Sequence, residues 1–233
     1  MSGSQPGAGS PFDKLSLAHS STVDRVADEL RRALFDGELE PATPLRETAL
    51  ADAMGVSRST IREALAVLVA EGLAKRAPNR GVYVTELDPD SVHDVCVARE
   101  VLEVAGVRRW ATAGEETRDA VRRAMAEFTD AAAGGGSPTE LTAAHLAVHR
   151  AFVGLVESAR LMAVAEALSA EIRLGLAKVD RIRRNSAEQV LSHRGLLTRL
   201  EAGDVEGAAE ELTRHLQHAE TSMLTALHLP HTP

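Results

Sequence analysis

Four of the nine histidines stand where their imidazole side chains could meet inside a helical domain. His145 and His149 are four residues apart, so they share one face of a helix, and Phe152 marks that face as an inward one. His193 and His215 lie in two later helical segments, each beside apolar residues at helical spacing. Neutral imidazole is a nitrogen donor for divalent metals, and packed helices fix the direction of each ring. The spacing therefore predicts a divalent-metal site held by side chains from three helices.

The type of donor also bears on the identity of the metal. A set made only of imidazoles favours Zn, Ni or Cu over Mn or Mg, and of these we expect Zn or Ni. The alternative is a group of core or surface histidines that bond only to their neighbours.

Two arginines in the same half of the chain are candidates for holding an anionic ligand. Arg99 and Arg173 belong to the first and fourth helical segments. A guanidinium binds a carboxylate through two parallel hydrogen bonds, and a metal could take the remaining oxygens. The alternative for Arg99 is an ion pair with Glu103, four residues along the same helix. We expect both arginines to contact a small carboxylate effector.

Six helical segments must position these side chains. From residue 91 onward apolar residues recur at helical spacing, without strand alternation. We expect Ser91 to cap the first segment, after a short linker at residues 88–90. The predicted helices are residues 91–113, 115–133, 139–157, 160–181, 186–202 and, after the capping Asp204, a last one up to about residue 227. Short joints between them predict an antiparallel α-helical bundle.

The N-terminal part of the chain carries a different pattern. Residues 47–54 have helical spacing, Gly55 is placed to end that helix, and Ser57 offers a hydroxyl to cap another. The second helix has one apolar face, formed by Ile61, Ala64, Leu65 and Leu68. Two short helices joined at a glycine turn form a helix-turn-helix, in which the second helix, the recognition helix, reads base edges in the major groove.

Two short strands, residues 73–76 and 81–84, are predicted to follow as a β wing. From Ser57 to Arg80 five basic residues face two acidic ones, a local charge of +3 in a chain of net charge −8. A basic stripe on an acidic protein indicates a nucleic-acid surface, although a winged helix used for protein contacts is an alternative. The expected DNA contacts are Ser57, Arg58, Ser59, Thr60, Arg62, Lys75, Arg80 and Gly81.

The sequence GVSRSTIREAL, the preceding ETALADAM and the following NRGVYV resemble the winged-helix domain of the GntR transcription regulators over residues 22–86. That family often has an arginine in the first of the two helices, where this chain has Thr48. The resemblance implies that a DNA contact made from this position is lost or taken over by a neighbour such as Arg46.

The second half resembles the all-helical effector domain, or FCD domain, of the FadR branch of that family, in its VanR-type six-helix subgroup. The shared features are Arg99-xxx-Glu103, His149, His193 and an LEAGD turn followed by His215. Many domains of this branch hold a metal with an Asp-xxx-His pair and one histidine from each of the last two helices. Here His145 takes the place of the aspartate.

Composition completes these expectations. Only 3% of residues are aromatic, so the cores must be built from Leu, Val and Ala, which favours a mainly α chain. We expect a disordered tail at residues 1–20, a winged helix-turn-helix domain with a small β wing at 21–87, and an all-helical ligand-binding and dimerisation domain at 88–229. The single cysteine and the lack of a long apolar run predict a cytoplasmic protein that contacts no membrane.

These patterns predict a sequence-specific DNA-binding transcription regulator and not an enzyme. One recognition helix reads few base pairs, so we expect a homodimer on two half-sites of double-stranded operator DNA. The expected activity is repression, controlled by a small carboxylate metabolite bound at or near the metal. The alternatives are a regulator for which the metal itself is the effector and a metal-dependent hydrolase, although no HExxH motif is present.

Overall fold

The computed structural model describes residues 21–78, 80–183 and 186–228, with residues 177–183 described by their backbone alone. Within these ranges the chain forms nine α-helices and one two-stranded sheet, which confirms the mainly α fold class with a small β element. The elements are α1 (Thr22–Phe35), α2 (Glu47–Met54), α3 (Arg58–Ala70), β1 (Ala74–Ala77), β2 (Gly81–Val84), α4 (Pro89–Val107), α5 (Glu115–Ala133), α6 (Pro138–Gly154), α7 (Ala159–Arg183), α8 (Ser186–Glu201) and α9 (Val205–Leu227). The predicted tail at residues 1–20 lies outside the described residues, as does residue 229.

The helix-turn-helix forms at the residues that the sequence indicates. α2 ends at Gly55, whose φ of 65° is the left-handed conformation that favours glycine. The Ser57 hydroxyl then accepts a hydrogen bond from the Thr60 amide at 3.1 Å and caps α3. The apolar face of α3 is fully buried against α1 and the sheet. The recognition helix is therefore held by its inner face, and its first turn is left at the surface.

The wing is an antiparallel pair in which Ala74 lies opposite Val84 and Ala77 opposite Gly81. β1 begins one residue later than predicted, because the amide of Leu73 bonds to the carbonyl of Leu68 in α3 and not to the other strand. The turn between the strands includes Asn79, which lies outside the described residues. The short ladder fixes which face of the wing each basic side chain occupies.

The six helices α4–α9 form the predicted bundle, with two differences at the start and end of α4. Asp88, not Ser91, caps this helix, since its carboxylate accepts the Ser91 amide at 2.7 Å and Pro89 occupies the first helical position. The predicted linker at residues 88–90 is thus already the start of the helix. α4 ends at Val107 instead of 113, because the following amides bond three residues back, as from Trp110 to Val107.

α4 and α6 approach closely at one glycine. A Cβ atom placed on Gly106 would lie 1.9 Å from the carbonyl oxygen of Phe152, so no other residue fits there without moving a backbone. Three residues before Gly106 on α4 is Glu103, and three residues before Phe152 on α6 is His149. The close approach therefore brings the polar side chains of the two helices into contact.

The N-terminal elements pack directly on the bundle. Residues 85–88 are all that separates β2 from α4. Ala170 and Leu174 of α7 pack against the N-terminal core. The Thr139 hydroxyl at the start of α6 donates a hydrogen bond to Asp36, at the end of α1, at 2.7 Å. The contacts join α1 to two helices of the bundle.

Candidate metal centre and nucleic-acid interface

The four predicted histidines meet inside the bundle. Each offers one ring nitrogen, and these four atoms lie within 4.8 Å of one another. His145 and His149 come from α6, His193 from α8 and His215 from α9. The first three are at most 3% exposed. Three helices therefore direct four nitrogen donors to one point, as the spacing predicts.

Two of these rings are oriented by hydrogen bonds through Nδ1. His193 Nδ1 lies 2.7 Å from the carbonyl oxygen of Gln189, and a carbonyl only accepts, so this nitrogen carries the proton. His149 Nδ1 lies 2.6 Å from Oε2 of Glu103 and donates to that carboxylate when it is ionised. In both neutral rings Nε2 is then left with a lone pair. Outer contacts of this kind, to a carbonyl or a carboxylate, are those that orient metal-binding histidines.

These lone pairs point at each other. Nε2 of His193 lies 3.1 Å from Nε2 of His149, and the latter lies 3.1 Å from Nε2 of His145. Two acceptors at this distance repel each other unless a proton or a metal cation lies between them. His145 Nδ1 and His215 Nε2 are also buried without a partner among the described residues. The donor set thus fits a divalent cation.

An additional proton is poorly placed to bridge His149 and His193, whose Nδ1 atoms already carry the proton of the neutral ring. Burial lowers the pKa of His145, His149 and His215 well below the usual value. The charges of neighbouring rings and of Arg99 lower these three pKa values further. Burial also lowers the pKa of His193, to about 4. At neutral pH the rings are uncharged, which is the form that binds a metal.

A buried ion pair adjoins the histidines. Arg99 Nε donates to Glu103 Oε1 at 2.8 Å, and both side chains are buried. Burial raises the pKa of Glu103 to about 7, and the guanidinium of Arg99 opposes that shift. Glu103 thus links Arg99 to His149. Sequence reasoning identified the Arg99–Glu103 spacing but missed the bond to His149, which depends on the approach of α4 to α6.

Arg99 also lines a small cavity next to the histidine cluster. Its Nη2 is buried and has no partner among the described residues. The cavity, of about 10 Å³, is bounded by α4, α6 and α7, including Glu103, His149 and Arg150. That volume is close to the space of one water molecule. An anion could reach Nη2 only after some of these side chains move.

The second predicted effector residue, Arg173, lies elsewhere. Its guanidinium carbon is 3.8 Å from the centroid of the Phe35 ring in α1, and it does not line the cavity at Arg99. The reason is the helical phase of α7: Ile172 and Leu176 are buried in the bundle, so residue 173 faces the N-terminal elements. The expectation that Arg99 and Arg173 share one ligand is not met by this arrangement.

Half of the predicted DNA-contact residues line one groove. It has a volume of about 1040 Å³ between α2, the start of α3 and the wing. Among the residues that line it are Arg46, Thr48, Arg58, Arg76, Arg80 and Gly81. Three hydroxyls form a cluster at the start of α3, since Ser57 Oγ lies 2.7 Å from Ser59 Oγ and 2.8 Å from Thr60 Oγ1. Of these three, Ser57 is occupied in capping the helix.

Lys75 does not line this groove. Hydrogen bonds from Ser91 lower the pKa of Asp88, and the charge of Lys75 lowers it further. Burial raises the pKa of Glu171 and the charge of Lys75 opposes that rise, so the ammonium group of Lys75 lies near the bundle. The next residue of β1, Arg76, does line the groove.

Glu47 was missed as part of this surface. Its carboxylate accepts hydrogen bonds from Arg62 Nε and Nη2 at 3.2 and 2.8 Å, and Arg58 Nη2 lies 3.9 Å away. The side chains of Arg58 and Arg62 are 64% and 57% exposed. Both arginines thus lie at the surface of α3, and one carboxylate from α2 draws them together. Helical spacing alone does not reveal a contact between two helices.

Among the described residues no helix is long and apolar enough to cross a membrane.

Comparisons with known proteins address both halves of the chain. Residues 22–84 match the model of bacterial regulatory proteins, gntR family, and residues 94–218 match that of the FCD domain. The chain is 30% identical over 202 residues to the probable D-xylose utilization operon transcriptional repressor of Paenarthrobacter nicotinovorans, covering 86% of this chain and 88% of that protein.

Two solved structures are similar to this one. The crystal structure of a GntR-type regulator from Rhodococcus sp. RHA1 has a TM-score of 0.76 at 29% identity, covering 88% of this chain and 99% of that one. The metal-free FCD domain of another transcriptional regulator has a TM-score of 0.51 at 20% identity, covering 61% of this chain and 98% of that one. The latter likeness concerns the fold alone.

Proposed function

Because the chain belongs to the GntR family of bacterial regulatory proteins and carries an FCD domain, we propose that it is a repressor that releases operator DNA when a small carboxylate binds beside a metal. Its family makes it a DNA-binding transcriptional regulator and not an enzyme. We assign DNA binding to residues 21–87 and ligand binding and dimerisation to residues 88–229, in a protein that acts in the cytoplasm.

One observation carries the metal part of this proposal. The Nε2 lone pair of His193, fixed by the bond from Nδ1 to Gln189, faces the Nε2 atom of His149 at 3.1 Å. A divalent cation bound by His145, His149, His193 and His215 removes this repulsion. Four nitrogen donors favour Zn or Ni. The metal would supply positive charge and open coordination positions to a carboxylate.

Metal analysis of protein purified without an affinity tag tests this assignment. We expect close to one equivalent of Zn or Ni per chain, or its uptake on dialysis against either ion. A folded full-length sample that contains no metal and takes none up would contradict the proposal. The same measurement on the His93→Ala variant controls for adventitious binding by histidine. His93 is half exposed, is bonded to Glu220 and does not belong to the cluster.

The carboxylate effector is inferred from Arg99. Its Nε donates a hydrogen bond to Glu103, whereas its buried Nη2 has no acceptor among the described residues. A carboxylate would provide that acceptor. The adjoining cavity of about 10 Å³ is too small for a metabolite, so binding requires helices to separate. The ligand then binds one arrangement of the bundle better than the other, which is the condition for a switch.

Release of fluorescent operator DNA, followed by anisotropy, identifies the effector class. We expect a small organic acid to release the DNA and acyl-CoA esters to have no effect. Arg99→Lys keeps the charge but loses the bidentate hydrogen-bond geometry, so it should raise the acid concentration that releases the DNA. Arg160→Lys, at an exposed position of α7, is the matched control. An acid that releases DNA equally well from the Arg99→Lys and His193→Ala variants acts somewhere else.

Dimerisation is proposed for an exposed apolar stripe on α4. Val97 and Val101 are 45% and 66% exposed and lie one turn apart, followed by the exposed Ala105. Val101→Glu should give a monomer in sedimentation experiments and weaken operator binding. Leu191→Glu is the control, since Leu191 is as exposed as Val101 but belongs to α8. Dimers that persist in Val101→Glu would place the interface on another surface.

The alternative in which the metal is itself the effector rests on the same small cavity. A centre with four protein ligands and little free space could respond to the ion alone. Titrating Zn or Ni into the metal-free protein–operator complex, without organic acids, separates the two mechanisms. Release by metal alone would favour the alternative, whereas release only after addition of an acid favours the carboxylate.

A further inference from the structure

A second cavity lies between the N-terminal elements and the bundle. Its volume is about 480 Å³. One wall comes from α1 and the end of α3, with Phe35 and Glu71, and the other from α6 and α7, with Arg150 and Arg173. It is distinct from the cavity at Arg99 and is large enough for a small metabolite.

The guanidinium of Arg173 in this cavity is held in place but not neutralised. It lies against the Phe35 ring, and its Nε is buried without a hydrogen-bond partner. Burial and the charge of Arg150 lower the pKa of Arg173. Among the described residues neither Arg150 nor Arg173 has a carboxylate within ion-pair distance. Two cations from adjacent helices therefore face one space without a bound counter-charge.

The nearby carboxylates are engaged with other groups or stand at the edge. Glu71 accepts two hydrogen bonds from Arg31, at 2.8 and 2.6 Å. Asp36 attracts Arg173 electrostatically but is bonded to Arg32 and Thr139. Glu166 lines the cavity and is exposed to solvent. The positive charge of the two arginines thus remains available to a ligand.

We propose that this cavity is a second anion site, which binds a small molecule with a dianionic phosphate group between Arg150 and Arg173. Two guanidinium groups match a charge of −2 and several oxygens, which a single carboxylate would not satisfy. The apolar lining, which includes Phe35, Leu73 and Leu146, would contact the body of the ligand. The site goes beyond the proposed metal-linked switch and needs no metal.

A ligand in this site would touch both halves of the chain. Arg31 and Phe35 belong to the DNA-binding part, and Arg150 and Arg173 to the bundle. Arg150 also lines the small cavity at Arg99. Binding would therefore fix how the recognition helix is held relative to the bundle, and it would engage a side chain that borders the proposed effector site.

Isothermal titration of the full-length metal-free protein with inorganic phosphate, glycerol 3-phosphate and acetate tests the site. We expect both phosphates to bind and acetate to bind more weakly. Arg173→Gln and Arg150→Gln should each weaken phosphate binding about tenfold or more, because each removes a charged donor pair. Arg160→Gln should bind phosphate as the unchanged protein does.

Two further variants separate this site from the others. Phosphate binding should persist in Arg99→Gln, where the proposed carboxylate site is removed. Should Arg173→Gln fail to fold, as judged by its thermal midpoint, Arg150→Gln decides, since Arg150 is exposed. The proposal is overturned if the unchanged protein binds neither phosphate, if binding survives loss of both cavity arginines, or if it is lost in Arg99→Gln but kept in Arg173→Gln.

Discussion

The histidine cluster and the recognition helix place charged and polar side chains in opposite ways. In the cluster three imidazoles are buried and that of His215 is partly buried, and burial keeps the rings uncharged. At the recognition helix Arg58 and Arg62 are exposed and charged, and only Glu47 draws them together. The first site gains precision from packing, whereas the second keeps side chains that can rearrange on DNA.

This difference predicts that a substitution can impair one site and leave the other intact. Packing ties the histidines to the folding of the bundle, so their loss should appear in metal content and stability. The arginines contribute little to the fold, so their loss should appear in operator affinity alone.

The largest effect is expected from removal of a metal ligand. His193→Ala should lower metal affinity by more than the 10–100-fold that loss of an outer-shell partner costs, because a donor itself is lost. Metal content after dialysis and the thermal midpoint with and without Zn measure the change. His93→Ala should leave both unchanged. If His193→Ala retains full metal content, the four-histidine assignment is wrong.

The second prediction concerns pH and the metal-free protein. The pKa of His193 is lowered to about 4 in the folded chain, and those of the other three cluster histidines are also lowered. Below about pH 6.5 the rings of the unfolded chain therefore take up protons, whereas those of the folded chain do not. Each unit of pKa difference lowers the free energy of unfolding by up to about 1.4 kcal/mol. Stability should be complete above pH 6.5 and fall as the pH drops toward 4. Denaturant unfolding across this range measures the free energy of unfolding. If that free energy does not change with pH, the folded rings take up protons as readily as the unfolded ones and the prediction is wrong.

The third prediction addresses the exposed site. Arg58→Ala should weaken operator binding by about 1–3 kcal/mol if this side chain reads a guanine. Metal content and thermal midpoint should not change, since the side chain is mostly exposed. Anisotropy with operator and unrelated DNA distinguishes lost base reading from lost charge. Unchanged operator affinity at physiological salt would show that α3 does not read DNA as proposed.

The smallest effect is expected for Glu47→Gln. The ion pairs that Glu47 makes with the exposed arginines contribute little to stability, because solvent screens them. Removing the carboxylate should free Arg62 and raise affinity for all DNA sequences slightly, with a steeper dependence on salt. A large loss of specific binding would instead mean that Glu47 positions the arginines for base reading.

The same contrast explains what could be predicted from the sequence. Gly55 and Ser57 act through backbone geometry and local capping, and His145 and His149 share a helix face through their spacing, so these local features follow from the sequence pattern. Bonds between elements were not accessible in this way. Glu103 reaches His149, and Glu47 reaches Arg62, only because two helices approach each other.

The errors have a related origin. Arg173 was grouped with Arg99 because both are arginines in the helical half, but the phase of α7 turns Arg173 toward α1. Ser91 was assigned as the cap of α4, yet Pro89 fits the first turn of a helix and Asp88 precedes it. The first error concerns tertiary placement. The second concerns a local signal, the Asp88-Pro89 pair at the start of α4.

The close approach at Gly106 determines which part of the bundle is able to move. With the Phe152 carbonyl filling the space of a side chain, α4 and α6 touch through their backbones at this point. We therefore expect the two helices to move together and to carry Glu103 and His149 with them. Opening of the cavity at Arg99 would then require displacement of α7, the third helix that lines it.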